Sequence, residues 1–223
     1  MSEDLKKLKE NLKNKIVKGL ALDIDETLSW TISYWVEKLQ DKFGNPENLS
    51  VQEITEKYRF TQNVPYWQTK EALDWMEKAR KSNEIQEILP LIEGSNKVVD
   101  KINKIIPIAA YVTIRSESVI PGTRKWLNKH GFPDAPVIAK PELISIEKGS
   151  KWKAQALKYL YPQIIGIIDD NPSIIDYLGE DYKGYVFLYD NIDHPKISRA
   201  IIPCKTWEDV YIKVRATLKL KML

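Results

Sequence analysis

The sequence predicts an α/β fold, a Rossmann-like parallel sheet covered by helices, with a small α-helical subdomain set into it. Three observations predict it. From about residue 96 onward, short apolar runs alternate with amphipathic helical stretches, the pattern of a parallel sheet with helices on both faces. Residues 30–95 keep helical spacing and show no convincing strand. Several apolar runs stop on Asp or Thr, at the strand ends where open α/β sheets collect ligands. The 223 residues suffice for one large domain or a core with an insert. The expected division is 1–29 with 96–223 as core, and 30–95 as insert.

Composition is that of an ordinary soluble protein, 43% hydrophobic and 29% charged. No stretch approaches the roughly 18 apolar residues of a membrane span. The opening MSEDLKKLKENLKNK has no apolar signal-peptide core, and Cys204 is the sole cysteine, which rules out an internal disulfide. A cytoplasmic location is expected. The net charge of +3 is uneven. Residues 1–18 carry six Lys against three acids, and residues 196–223 seven Lys or Arg against two acids, leaving a net acidic body between them. Basic ends can touch nucleic acid, but solvated faces of terminal helices account for them, and no nucleic-acid or membrane partner is expected. A phosphate entering the acidic body would need a metal or specific Lys and Arg to receive it.

Taken in order, Leu5, Leu8 and Leu12 lie at helical spacing within 3–14. The first strand is expected at 16–23. In the insert, Ile32, Trp35, Val36 and Leu39, then Leu73, Trp75, Met76 and Ala79, lie at helical spacing. Ser50 with Glu53 makes a capping box, and Gly44-Asn45-Pro46 and Asn63-Val64-Pro65 punctuate. After Gly94-Ser95, helix 96–104 leads to strand 106–113. A helix then runs from about Pro121 to His130-Gly131, where Gly takes the left-handed cap. Strand 136–140 follows, and Ser150 is the expected N-cap of helix 151–160. Strand 164–169 ends on Asp169-Asp170, and Asn171-Pro172 opens the next helix. Strand 184–188, Ala200-Ile201-Ile202 and a helix capped at Thr206 complete the chain.

The chemistry gathers at strand ends. Asp23 and Asp25, two apart, share a face if the strand continues through them, while Ile24 packs on the other side. Two crowded carboxylates repel, and a proton or cation relieves them. Thr113 ends the second strand, Lys148 and Lys151 precede or open the helix before the fourth, and Asp169 and Asp170 end that strand. In a parallel sheet these ends share one edge. Carboxylates there suit Mg²⁺, while a hydroxyl and an ammonium suit phosphate.

In this order the residues resemble the haloacid-dehalogenase-like (HAD) superfamily, mostly phosphotransferases. Asp23-Ile24-Asp25-Glu26-Thr27 matches its DxDxT motif, IAAYVT ending at Thr113 its second, a Lys at a helix start its third, and IIGIIDD its fourth. The likeness runs from about residue 16 to 190. It implies that 30–95 is a helical cap, and that the segment between Thr113 and Lys148 is too short for a second one. It implies Asp23 as the nucleophile forming an aspartyl-phosphate and Asp25 as general acid, whose backbone carbonyl also meets Mg²⁺. Thr113 binds phosphate, and Asp169 and Asp170 complete the metal site. For the third motif Lys151 follows the expected N-cap, and Lys148 has the more usual spacing to the acidic pair. Lys140 and Lys153 are expected to be solvated. Members that act as dehalogenases lack the second Asp, so Asp25 favours phosphoryl chemistry.

The expected activity is Mg²⁺-dependent hydrolysis of a small phosphomonoester. A 5′-(deoxy)nucleotidase, a phosphomutase or a non-catalytic phosphate- or partner-binding protein are the alternatives. Arg115, two residues past Thr113, is a candidate phosphate contact. Trp30 and Trp67 are candidates to stack on a leaving group, within an insert also holding Trp35, Trp75, Tyr34, Tyr58, Tyr66, Phe43 and Phe60. His130 and His194 lack metal-type partner spacing, and Cys204 is expected to be a packed side chain. Nothing in the sequence fixes an oligomeric state.

Overall fold

The computed structural model describes residues 3–58, 61–192 and 200–219; Phe60 and His194 lie outside them. Six strands form one wholly parallel sheet: β1 Gly19–Leu22, β2 Ile108–Ser116, β3 Val137–Lys140, β4 Ile164–Asp169, β5 Tyr185–Tyr189 and β6 Ile201–Cys204. Their order is β3-β2-β1-β4-β5-β6. The order reverses at β1, where the chain crosses from the β2 side to the β4 side, so the crevice above β1, β2 and β4 is the switch point at which such folds bind ligands.

The sheet carries a separate apolar cluster on each face. Leu20, Leu22, Tyr111, Ile168 and Phe187 contribute to one, with α6 Ser95–Asn103, α7 Ile120–Lys129 and α10 Trp207–Lys219. Ala21, Val112, Ile167 and Leu188 contribute to the other, with α1 Glu3–Asn14, α8 Gly149–Leu160 and α9 Ser173–Leu178. Burial on both faces explains why these strands read as continuous apolar runs rather than alternating ones. The first strand is shorter than the expected 16–23. Pairing begins only at Gly19, whose N–H donates to Gln163 O, and Ile16 is exposed with φ +55°.

Between Trp30 and Pro90 the described residues form helices only: α2 Thr31–Phe43, α3 Val51–Tyr58, two 3₁₀ turns (Thr61–Asn63 and Pro65–Trp67), α4 Lys70–Arg80 and α5 Asn83–Ile88. A third cluster, including Val36, Leu39, Ile54, Val64, Trp67 and Met76, belongs to this segment alone. Ser50 and Glu53 make the reciprocal capping box that their spacing predicts, at 2.7 and 3.2 Å. The two chains joining the segment to the sheet run side by side. Trp30 N–H donates to Pro90 O and Ile92 N–H to Leu28 O, with an antiparallel bridge between Ser29 and Leu91. Helix α5 docks on α7 so closely that a Cβ at Gly122 would sit 2.3 Å from Asn83 O, and Asn83 Oδ1 accepts from Gly122 N–H. Gly131 ends α7 at φ +72°, the left-handed cap expected there.

Candidate functional site

Strand β1 delivers Asp23 to the crevice, where its N–H still donates to Ile168 O of β4. The chain then coils, with Leu28 N–H donating to Ile24 O and Ile24 fully buried beneath. Thr27 locks this turn to the acidic pair. Its Oγ1 donates to Asp170 Oδ1 and accepts from Asp170 N–H, both at 3.1 Å. Trp207 Nε1 of α10 donates to Thr27 O at 3.1 Å.

Lys153, 3% exposed on α8, is the cation of the site. Its Nζ lies 2.8 Å from Asp169 Oδ2 and 2.9 Å from Asp23 Oδ1. Burial works against its charge, but the Asp169 and Asp23 carboxylates more than reverse that and hold the ammonium above its ordinary range. The expected lysines are placed otherwise. Lys151 and Lys148 are both exposed. Helix α8 begins at Gly149 with Lys148 at the cap position, and Ser150 Oγ pairs with Ser173 Oγ instead of capping. The inward face of α8 therefore runs Gly149, Lys153, Ala156, Leu157 and Leu160, and Lys153 replaces Lys151 and Lys148 at the carboxylates. Lys140, also expected to be solvated, is buried at the end of β3, donating to Ile144 O at 2.5 Å.

Asp25 is held by Arg115. Arg115 Nη2 donates to Asp25 Oδ1 at 2.7 Å, and Nε is shared between Oδ1 and Oδ2 at 3.0 and 3.1 Å. Thr31 Oγ1 also donates to Oδ1, at 2.6 Å. Burial alone would raise the Asp25 carboxyl, but the guanidinium outweighs it, and the group sits below the usual carboxylate range. Arg115 spends its remaining bonds on Thr123 and Ser29. In this structure its partner is Asp25. Thr113 does not end its strand as expected, since β2 runs on to Ser116; fully buried, it accepts the Arg115 N–H at 3.2 Å, which leaves its hydroxyl proton for another acceptor.

Carboxylate oxygens of Asp23, Asp169 and Asp170 all lie within 4.8 Å of one another. Burial first, then Asp169 and Asp25, pushes Asp23 up to about 7 against the pull of Lys153. Burial, then Asp169 and Asp23, pushes Asp170 well above the usual range. Three carboxylates against one ammonium leave uncompensated negative charge in a buried place, and hard oxygen donors in such a set fit a divalent cation of the Mg²⁺ kind. The Asp25 carboxylate is not one of the three.

An opening of about 190 Å³ beside this cluster is lined by Glu26, Trp30, Asp170, Pro172, Asp190 and Asn191. Glu26 enters it from a left-handed backbone, φ +55°, strained by about 1 kcal/mol for a non-glycine residue. That turn lets Glu26 Oε1 accept Ile32 N–H at 2.6 Å, and burial pushes the carboxyl up to about 7. Trp30 is 40% exposed at the rim, so its ring is open to a ligand. Trp67 is 0% exposed and donates from Nε1 to Gly44 O at 3.0 Å. It is core of the helical segment and is removed from the set of stacking candidates.

No family model and no curated relative matches the sequence. Among solved structures, the protein tyrosine kinase A of Mycobacterium tuberculosis aligns with 89% of this chain and 98% of its own, TM-score 0.58 at 15% identity. A HAD-superfamily hydrolase from Ehrlichia chaffeensis aligns with 91% of this chain and 99% of its own, TM-score 0.52 at 17% identity. A dehalogenase crystallised with an intermediate aligns with 88% and 96%, TM-score 0.54 at 12% identity. At these identities the likeness speaks for the fold.

Proposed function

We propose, from the premise that this chain has the fold of the HAD-superfamily hydrolases, that it is a phosphomonoester hydrolase working through an aspartyl-phosphate on Asp23. The observation that carries the reading is the company of Asp23. It lies against Lys153 and two further carboxylates at the switch point of the sheet, with a second acid, Asp25, two residues away and oriented by Arg115.

Asp23 attacks the phosphorus, an O–P bond forms to its carboxylate, and the bond to the leaving oxygen breaks. Asp25 gives that oxygen its proton. The free Asp25 carboxyl lies low because of Arg115, and an arriving phosphate dianion raises it by like-charge repulsion. Water then attacks the phosphorus as its proton passes to Asp25, the bond between phosphorus and the Asp23 oxygen breaks, and inorganic phosphate leaves with the Asp23 carboxylate restored. Lys153 holds Asp23 in place and offsets charge on the transferring group. The Thr113 hydroxyl donates to a phosphate oxygen. Asp23, Asp169 and Asp170, with the Asp25 backbone carbonyl, would hold Mg²⁺, which supplies charge neutralisation for the phosphate. Trp30 at the rim faces the part of the substrate beyond the phosphate, a small phosphorylated metabolite.

The test is phosphate release from an aryl phosphate and a panel of sugar phosphates and nucleotides, with Mg²⁺ and with excess chelator. Turnover that needs Mg²⁺ and is lost in Asp23→Asn supports the reading. Turnover that persists in chelator, or in Asp23→Asn, contradicts it.

A further inference from the structure

Asp25 belongs to a closed ring of hydrogen bonds. Arg115 Nη2 reaches both Asp25 Oδ1 and Ser29 Oγ, at 2.7 and 3.2 Å. Ser29 Oγ lies 2.8 Å from Thr31 Oγ1, and Thr31 Oγ1 lies 2.6 Å from Asp25 Oδ1. An ionised carboxylate, the form of Asp25 before substrate arrives, only accepts, and a guanidinium only donates. Thr31 therefore gives its single proton to Asp25, which makes Ser29 the donor to Thr31 and Arg115 the donor to Ser29. Ser29 Oγ also lies 3.3 Å from Ile24 O, and its shorter contact, 2.8 Å to Thr31, is the one that closes the ring. The result is asymmetric at the carboxylate. Oδ1 receives Thr31, Arg115 Nη2 and a share of Nε, whereas Oδ2 receives only the other share of Nε. Oδ1 is saturated, and Oδ2 is the oxygen left for another partner.

Two of the ring members do not come from the sheet. Ser29 lies in the connection bridged to Leu91, and Thr31 is the first residue of α2. The α2 N-terminus has no side-chain cap from Trp30; Glu26 supplies it, through Ile32 N–H. The start of the helical segment is thus fastened to the acid at two adjacent points, Asp25 to Thr31 and Glu26 to Ile32.

We infer that Thr31 and Ser29 are positioning residues that fix the plane of the Asp25 carboxyl group, with Oδ1 turned inward and Oδ2 presented to the leaving oxygen of a phosphoester, and that the seat of α2 sets this orientation. The inference rests on the phosphatase reading above. Neither residue touches substrate in it.

The experiment compares two phosphomonoesters, an aryl phosphate whose leaving group needs little protonation and an alkyl phosphate whose leaving group needs it. Thr31→Val removes the hydroxyl at nearly constant volume, and Thr31→Ser restores it. Thr31→Val should lower kcat on the alkyl phosphate on the order of tenfold through misorientation, lower it much less on the aryl phosphate, and leave KM for both near wild type. Thr31→Ser should recover most of the loss. Melting temperatures within about 2 °C of wild type would show that the fold is kept. Equal loss on both donors, no loss on either, or failure of Thr31→Ser to recover the alkyl rate would overturn the positioning role while leaving the phosphatase reading in place. Wild-type protein inert towards both donors would remove that reading and this one together.

Discussion

Lys153 Nζ stands 2.9 Å from Asp23 Oδ1, deep under the end of β1. One ammonium therefore serves as counter-ion to both Asp23 and Asp169. The third carboxylate, Asp170, is held by Thr27 instead. The three lysines of this helix start thus separate by burial, with Lys148 and Lys151 in solvent and Lys153 inside.

From that separation, Lys153→Met should lower the phosphatase rate by about two orders of magnitude, the usual effect of losing a charge-stabilising donor. It should also cost about 3 kcal/mol of stability, because removing one partner leaves buried carboxylates uncompensated. Lys151→Ala and Lys148→Ala should change neither by more than a small factor. Steady-state rates and denaturant unfolding of the three variants check this.

The two tryptophans proposed from sequence should part in the same way. Trp67→Ala should destabilise the protein by about 3–5 kcal/mol, since it empties the core of the helical segment. Trp30→Ala should leave the denaturation midpoint nearly unchanged. Its effect should fall on KM, and more for a large or aromatic phosphoester than for a minimal one, because binding away from phosphorus can be lost without the chemistry. Unfolding curves and KM values for the two donor sizes are the measurements.

Stability should depend on pH in a direction set by the carboxyls. Asp23 and Glu26 are each pushed up to about 7 in the folded chain, above the unfolded range of about 4. The folded state therefore binds more protons between those values, and stability rises as pH falls. In chelator, the melting temperature should climb from about pH 8 to about pH 6.5, at the upper end of the Asp23 and Glu26 titrations. His130, which burial holds below its ordinary value, works against the trend only at lower pH. Saturating Mg²⁺ should raise the whole curve and flatten its slope, by keeping Asp23 ionised.

Cys204 should be silent. It is fully buried at the end of β6, and burial pushes its thiol up to about 12. The thiolate is the reactive form, so a thiol reagent at about pH 8 should label native protein only very slowly and label the single cysteine at once in denaturant. Fast labelling of the native state would contradict this packing.

Much of the fold was legible because the local signals agreed with the tertiary ones. Apolar runs marked the strands, Ser50 with Glu53 marked a helix start, and Gly131 marked a helix end. Asp23, Asp169 and Asp170 were legible because acids that end buried strands have few other reasons to be there. In sequence Lys153 reads as solvated, because a lysine is so by default. The usable signal was its helical spacing: with Ala156, Leu157 and Leu160 it completes one inward stripe of α8. In the same region Ser150 is not the N-cap its type predicts, since the helix begins at Gly149, before it. Position two past Thr113 marks Arg115 in sequence, but not its pairing with Asp25, ninety positions away, which only the β1–β2 register reveals. Trp67 could not be told from Trp30 by type. What separates them is that Trp67 lies inside a small core and Trp30 at the junction of segment and sheet.

The central claim is covalent chemistry at Asp23, and the most direct measurement is to trap it. The protein is mixed with an aryl phosphate and Mg²⁺, quenched in acid, reduced with borohydride and mapped by mass spectrometry. The account predicts that Asp23 alone is converted to homoserine, that the conversion needs substrate and Mg²⁺, and that Asp23→Asn abolishes it. Phosphate release with no modification at Asp23, or with the label on another carboxylate, would contradict it.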